Sequence, residues 1–132
     1  MGAVEEKYKH KEITQKIIGC AMRVHSVLGN GFQENIYHQA LRIEFEKAKI
    51  NHKHECEMPI YYDGQQIGTR RADFLVEDVV LVELKAITEL GNLAYAQMIN
   101  YLVAYKLEVG LLINFGEKSL KFKRFVKTHE GV

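Results

Sequence analysis

The segment Arg71-Ala-Asp73-Phe-Leu-Val-Glu-Asp-Val-Val-Leu-Val-Glu83-Leu-Lys85 contains two apolar runs, and charged residues lie inside both of them. Short apolar runs rich in valine are typical of buried β-strands. A charge in such a strand is costly unless it pairs with an opposite charge or binds a metal ion. The segment therefore predicts either a functional site or a structural ion pair at a strand end, Glu83 to Lys85 or Asp73 to Arg71.

The spacing of these charges decides whether they can act together. Glu83 and Lys85 are two residues apart, so they project from the same face of their strand. Asp73 joins them only if it lies opposite Glu83, which requires an odd loop such as Glu77-Asp78-Val79 or a bulge near Asp73. A two-residue loop would place Asp73 opposite Val82, on the wrong face.

If the three side chains converge, they form a site suited to phosphoryl chemistry. The two carboxylates are hard oxygen ligands of the type that Mg²⁺ binds, and this ion usually retains waters and contacts substrate phosphate. The lysine adds a fixed positive charge beside the ion. Together these groups would position a water for attack on a phosphodiester and stabilise the charge that builds on the phosphoryl oxygens.

Composition limits the kind of protein to which such a site belongs. With 132 residues, of which 47% are hydrophobic, the chain is expected to form one domain over residues 1–132 with its core at about 12–127. The formal net charge of +1 excludes a global field that would attract nucleic acid or membrane, so an anion-binding surface must be local. No apolar run approaches the ~20 residues of a membrane span, and the first residues are polar, so we expect a cytoplasmic protein without membrane contact.

Hydrophobic periodicity predicts helices before and after a group of strands. Helical spacing of apolar residues indicates three helices, and valine-rich or alternating runs indicate the strands. This order is that of an α/β domain, a mixed β-sheet flanked by α-helices. The predicted helices cover about 13–28, 33–49 and 92–107, and the predicted strands about 52–62, 71–76, 79–85, 109–114 and 120–126.

Two of the helices carry polar residues of interest. Glu34 lies three residues before Tyr37 on the inward face of the second helix, where an acidic residue also favours the positive end of the helix dipole. Gln97 and Tyr101 lie four apart on one face of the third helix, where they can form a buried hydrogen-bonding pair. The third helix is apolar nearly all round, which predicts that the sheet covers one side and that helices or a partner cover the other.

Several separate motifs of the chain resemble those of one protein family. The pattern from Asp73 to Lys85 is similar to the signature of the PD-(D/E)XK nuclease superfamily, with Ala72 in place of the proline of that motif. The segment Gly31-Phe-Gln-Glu34-Asn-Ile-Tyr37 resembles the GxxExxY pattern that names one small family within the superfamily. The resemblance covers nearly the whole chain and includes three further motifs in the same order, which are Val24-His25 with Leu28-Gly29, Gln97-Met-Ile-Asn-Tyr101 and Gly110-Leu-Leu-Ile-Asn-Phe115-Gly116.

The resemblance implies a restriction-endonuclease-like core, with the acidic pair and the lysine at the centre of the sheet and with Mg²⁺ or Mn²⁺ as cofactor. Glu34 is implied to reach the metal directly or through water, and Gln97 to contact the lysine or the substrate. The residues implied as metal ligands are Asp73, Glu83, Leu84 through its backbone carbonyl, and Glu34. The residues implied as catalytic are Lys85, Asp73, Glu83 and Gln97, and Tyr101 is implied to bind substrate.

Basic residues and histidines complete the candidate functional groups. Arg70 and Arg71 directly precede the acidic segment, and we predict that both contact the phosphate backbone of a substrate. Lysines near the C-terminus are expected to protect the edge of the last strand against unwanted pairing. The histidines are not expected to bind metal: His25 is predicted to be structural, and His52 and His54 are predicted to be surface residues of a strand.

The function predicted from the sequence is metal-dependent hydrolysis of phosphodiester bonds in nucleic acid, with DNA favoured over RNA. A homodimer or a protein partner is expected to complete the groove, because the chain holds little beyond the core. A catalytically silent nucleic-acid or protein binding module of the same fold is the alternative. A small-molecule metalloenzyme is disfavoured, because the sequence shows no histidine ligand set.

Overall fold

The computed structural model describes residues 9–128, so both ends of the predicted domain of residues 1–132 lie outside the described residues. Each helix and strand expected from the sequence is present. The bounds of the elements are α1 Lys11–Leu28, α2 Glu34–Lys47, β1 His52–Tyr62, β2 Gln65–Val76, β3 Val80–Lys85, α3 Asn92–Tyr105, β4 Val109–Asn114 and β5 Lys121–Val126. The largest difference is at β2, which begins at Gln65 because its first half extends the hairpin with β1.

The strands form one five-stranded sheet in their order along the chain. The β1–β2, β2–β3 and β4–β5 pairs are antiparallel, whereas β3 and β4 are parallel. A parallel pair needs a long crossover connection, and α3 supplies it. The predicted α/β architecture, a mixed sheet flanked by helices, is therefore confirmed. The lysines of β5 lie on an edge strand, as expected.

Helices cover both faces of this sheet. Helices α1 and α2 pack on one face around a core that includes Tyr37 and Phe74. Helix α3 packs on the other face, where Gly110 of β4 lets it approach closely, since a Cβ there would lie 2.6 Å from the sulfur of Met98. Within residues 9–128 no second helix covers the outer side of α3, which exposes hydrophobic side chains, and no helix is long and apolar enough to cross a bilayer.

The sequence had predicted that His52 and His54 of β1 are surface residues, but both are partly buried. The His52 ring lies 5.2 Å from that of Phe45 in α2, and the His54 ring lies 5.8 Å from that of His38 in the same helix. The reason is that the inner side of this part of β1 faces α2 and not solvent. His25 agrees with its predicted structural role, since its Nε2 donates to the carbonyl of Glu117 (2.9 Å).

Candidate active site

The register of β2 and β3 places Asp73 opposite Glu83. The paired residues are Phe74 with Val82, Leu75 with Leu81 and Val76 with Val80. One further step of this register sets the two acidic residues against each other. The turn is the three-residue loop Glu77-Asp78-Val79, one of the two solutions that the sequence allowed, and in it Glu77 and Asp78 adopt φ of 54° and 58°. The predicted odd loop is therefore confirmed.

At this position the two carboxylates replace the backbone ladder between the strands. Asp73 Oδ2 accepts a hydrogen bond from the backbone N–H of Leu84 (2.8 Å), and Glu83 Oε2 accepts one from the backbone N–H of Asp73 (3.2 Å). Each acidic side chain is thus fixed by the backbone of the opposite strand. The two groups consequently share one small region at the open side of β3.

At this position the buried side of the β1–β2 hairpin also changes from one face of the sheet to the other. Residues two apart in a regular strand share one face, yet Phe74 belongs to the core under α1 and α2 whereas Ala72 belongs to the core under α3. In β1 the change falls at Glu55, whose φ is 51°, and this residue is missing from the ladder. Asp73 therefore lies where the buried side of the hairpin passes from one face of the sheet to the other, and its carboxylate can meet groups of both faces.

Glu83 is 4% exposed and pairs with Arg70 of β2. Burial raises the pKa of Glu83, the hydrogen bond from Arg70 opposes that rise, and the charge of Asp73 adds to it. Burial by itself would lower the pKa of Arg70, but the hydrogen bond and charge of Glu83, together with the neighbouring Tyr105 and Tyr101, outweigh burial, so the pKa is raised. The guanidinium carbon of Arg70 also lies 3.6 Å from the ring centroid of Tyr101, which is a cation–π contact. The ion pairs predicted as the alternative, Glu83 to Lys85 and Asp73 to Arg71, do not form among the described residues.

Lys85 ends β3 and lies beside the residues of α3 that the sequence had singled out. Its backbone is fixed, since its carbonyl accepts the N–H of Phe115 (2.9 Å). A small cavity between β3 and α3 is lined by Glu83, Lys85, Gln97 and Tyr101, together with three apolar side chains. The structure thus brings the predicted glutamine and tyrosine to the acidic residue and the lysine, on the face covered by α3.

Glu34 is the first residue of α2, and it lies near Asp73 and Lys85 on the face of the sheet opposite to α3. Burial raises the pKa of its carboxyl group, and the nearby charge of Asp73 raises it further, while Lys85 opposes this shift. Tyr37 holds the loop that presents Glu34: its hydroxyl donates to the carbonyl of Gly29 (2.6 Å) and accepts the N–H of Phe32 (3.1 Å). The tyrosine of the GxxExxY pattern is therefore fully buried and anchors the loop between the first two helices.

The donor set fits a hard divalent cation in part. In an extended strand the N–H and the carbonyl of one residue point to the same side. The Leu84 carbonyl therefore points toward Asp73, as its N–H does, and adds an oxygen to those of Asp73 and Glu83. Such oxygens suit Mg²⁺. Among the described residues, however, Glu34, Asp73 and Glu83 are not a group whose oxygens all lie within 4.8 Å of one another.

Arg71 differs from Arg70 in its surroundings. Its guanidinium is exposed and lies 3.7 Å from Glu55 and 3.5 Å from Glu57, both on the neighbouring strand. Pairs of this kind contribute little to stability, so the charge of Arg71 is available to a ligand. Arg70, in contrast, is already bound to Glu83 and Tyr101.

A family model described as the PD-(D/E)XK nuclease superfamily matches residues 11–125. The chain belongs to this superfamily. The match includes the hairpin that carries Asp73, Glu83 and Lys85, as well as α2 and α3. No curated protein matches the sequence at a significant level.

Among solved structures, the chain is similar to the crystal structure of SSO0001, with a TM-score of 0.58 and 17% sequence identity. The likeness covers 94% of this chain and 62% of the SSO0001 chain. This chain therefore spans less than two thirds of the length of SSO0001. At this identity the likeness shows the fold alone. It agrees with the restriction-endonuclease-like core expected from the sequence.

Sequence reasoning missed two features of the site. The pairing of Arg70 with Glu83 was not foreseen, although both residues lie on the same hairpin thirteen positions apart. His38 was not considered, yet its Nδ1 lies 3.6 Å from Asp73 Oδ1. Its position four residues after Glu34 on one helix was the available signal, because residues at that spacing share a helix face.

Proposed function

We propose that this chain is a metal-dependent nuclease that hydrolyses phosphodiester bonds in nucleic acid. The observation that carries this proposal is the register of β2 and β3, which sets the carboxylates of Asp73 and Glu83 against each other with Lys85 at the end of the same strand. Membership of the PD-(D/E)XK superfamily supports the same reaction. We further propose that the chain is a member of the GxxExxY family, since Glu34 and Tyr37 have distinct places at the site.

In the proposed mechanism Asp73, Glu83 and the Leu84 carbonyl would hold Mg²⁺ or Mn²⁺, and Glu34 would contact the ion directly or through water. The ion, when bound, lowers the pKa of a coordinated water and neutralises charge on the phosphoryl oxygens. Lys85 orients the attacking water and stabilises the negative charge of the transition state. Gln97 lines the same small cavity as Lys85, and from α3 it would hold the lysine in place.

Substrate binding is proposed for the positive and aromatic groups beside the hairpin. Arg71 is exposed and would contact a phosphate of the substrate backbone. We propose that Arg70 and Tyr101 line the groove, with Arg70 shared between Glu83 and a substrate phosphate. DNA is proposed in preference to RNA. The exposed Leu93 and Val103 of α3 support a second copy or a protein partner that extends the groove.

One observation favours the alternative of a catalytically silent binding module. The guanidinium of Arg70 occupies an oxygen of Glu83, the carboxylate that the mechanism assigns to the metal. A cation and Arg70 would compete for that oxygen. If Arg70 prevails at physiological metal concentrations, the same groove would bind nucleic acid without cleaving it.

Cleavage of a mixed panel of labelled DNA and RNA, single and double stranded, separates the two proposals. The wild type is expected to cleave at least one member with Mg²⁺ or Mn²⁺ and none with a chelator. Glu83→Gln and Lys85→Ala are expected to lower the rate at least about 100-fold, as removal of a single transition-state contact does in other enzymes. Lys47→Ala, at an exposed lysine of α2, is the matched control and should cleave at the wild-type rate.

Two results would contradict these proposals. Undiminished turnover in Lys85→Ala would reject the role of that lysine, provided the variant keeps its circular dichroism spectrum and its metal affinity. Binding of the panel without cleavage under all metal conditions would favour the silent module.

A further inference from the structure

A second group of metal-binding side chains lies beside the candidate active site. It consists of His38 on α2 and of His54 and Glu55 on β1, and each residue offers one ligand atom within 4.8 Å of the others. Within residues 9–128, no other group of three or more histidine, cysteine or acidic side chains meets this distance. None of its members belongs to the proposed nuclease mechanism.

The backbone brings neighbouring side chains of β1 together at this point. In a regular strand the side chains of His54 and Glu55 would point to opposite faces of the sheet. Glu55 instead adopts φ of 51°, a left-handed conformation that is uncommon for residues other than glycine. This irregularity turns the strand so that both side chains reach His38.

The histidines of the group have buried nitrogens without a partner. His38 is 4% exposed, and its Nε2 forms no hydrogen bond; the Nδ1 of His54 is likewise buried and forms none. Buried polar atoms nearly always have a partner, and leaving one unpaired is unfavourable. Two such atoms on adjacent rings, 5.8 Å apart at their centroids, are placed to share one ligand.

We propose that His38, His54 and Glu55 bind a divalent transition-metal ion of the Zn²⁺ class. Two imidazole nitrogens and one carboxylate are a ligand set that Zn²⁺ takes, and three protein ligands leave a fourth position for water. Mg²⁺ prefers oxygen ligands and is disfavoured here. The unpartnered Nε2 of His38 and Nδ1 of His54 are the donor atoms.

Neighbouring groups hold the His38 ring in the orientation that this site requires. Its Nδ1 faces Asp73 Oδ1 at 3.6 Å, which leaves Nε2 for the metal, and the ring stacks on Phe74 at a centroid distance of 4.4 Å. A carboxylate on the second nitrogen of a metal-binding histidine is a common arrangement, because it fixes the tautomer and makes the ligand more basic. Asp73 thereby contacts both candidate sites.

Arg42 opposes the metal at His54. Its Nη1 donates to His54 Nε2 at 3.2 Å, so this nitrogen now acts as the acceptor. A metal on Nδ1 places the ring proton on Nε2, and Arg42 must then move away. Replacement of Arg42 by methionine removes this competitor and a positive charge, and is expected to tighten metal binding.

Zinc binding is measured on protein without an affinity tag, by elemental analysis after dialysis and by competition with a chromophoric chelator. The wild type is expected to bind one Zn²⁺ per chain, and Co²⁺ in its place should give the visible absorption of a four-coordinate site. His38→Gln and Glu55→Gln should each weaken Zn²⁺ binding at least about tenfold, as loss of a ligand or of its support does in metal sites. His25→Gln, at a histidine of α1 outside the group, is the matched control and should bind as the wild type does.

The nuclease proposal and this one fail separately. Glu83→Gln should leave Zn²⁺ binding unchanged although it removes Mg²⁺-dependent cleavage. No stoichiometric Zn²⁺ in the wild type, or equal affinity in Glu55→Gln and His25→Gln, would overturn the site. Glu55 is exposed, so its variant is informative even if His38→Gln does not fold. Weaker binding in Arg42→Met would overturn the assignment of His54 Nδ1.

Discussion

Replacement of Arg70 by methionine tests the electrostatics of the candidate active site directly. The substitution keeps most of the aliphatic stem but leaves the carboxylate of Glu83, 4% exposed, without its cation. Removal of one partner from a buried pair typically costs 3–5 kcal/mol. The lower end, about 3 kcal/mol, applies here because Glu83 keeps the N–H of Asp73 as a donor. Loss of the cation–π contact with Tyr101 adds about 0.5–1 kcal/mol.

The loss in Arg70→Met should depend on pH, because a protonated Glu83 needs no cation. Burial already raises the pKa of Glu83 in the folded protein, and removal of Arg70 raises it further. An acid with a raised pKa in the folded state contributes stability below its unfolded pKa and loses it as the pH rises through the folded pKa. The deficit is therefore largest at about pH 7.5 and falls by up to about 1.4 kcal/mol for each pH unit toward pH 5.

Urea denaturation at the two pH values measures this effect, with the wild type, Glu83→Gln, Arg70→Met and the double variant. The double variant should recover most of the loss at neutral pH, since neither charge remains, and should stay about 1 kcal/mol below the wild type for the missing ring contact. A loss of less than about 1 kcal/mol in Arg70→Met at pH 7.5, or an equal loss at both pH values, would refute the assigned pairing.

Three further predictions concern neighbouring parts of the site and its supports. Gly116→Ala should lower the free energy of unfolding by about 3 kcal/mol or prevent folding, because a Cβ would lie 2.3 Å from the carbonyl oxygen of Ile87; Gly68→Ala, which meets nothing within 4 Å, is the control in the same denaturation assay. Asn114→Ala should cost about 3 kcal/mol by thermal denaturation, since its buried amide satisfies both the N–H and the carbonyl of Ile87. Gln97→Ala should lower kcat about 10–100-fold without changing the melting temperature. A lower melting temperature in this variant would indicate a structural role for Gln97.

The architecture of the sheet follows from the sequence because its signals are local and agree with one another. The valine-rich runs, the helical stripes and the need for a long connection between parallel strands lead to one arrangement. The active-site register met a condition that the sequence had set, since the parity of side chains along β2 and β3 allowed Asp73 and Glu83 to meet only with an odd loop or with a bulge near Asp73.

The features that the sequence did not reveal arise where chain geometry departs from regular strands. At Glu55 the buried side of the β1–β2 hairpin changes from one face of the sheet to the other. No sequence signal marks this change, since a glutamate with positive φ is unusual. The prediction placed His54 on the surface because it assumed regular alternation, and the absence of a histidine ligand set was judged from the sequence order alone. His38 and His54 are sixteen residues apart and meet only because α2 lies across the hairpin.

The charges of the site are fixed by neighbours that belong to different elements, which couples function to stability. Asp73 is held by the backbone of β3 and faces His38 of α2, while Glu83 is held by Arg70 of β2, which rests on Tyr101 of α3. A group that is buried and bonded in this way cannot be removed without exposing an unpaired partner. Loss of activity in a single variant therefore reports on catalysis only when its stability is measured beside it, because even the isosteric Glu83→Gln replaces one accepting oxygen with an amide nitrogen that donates.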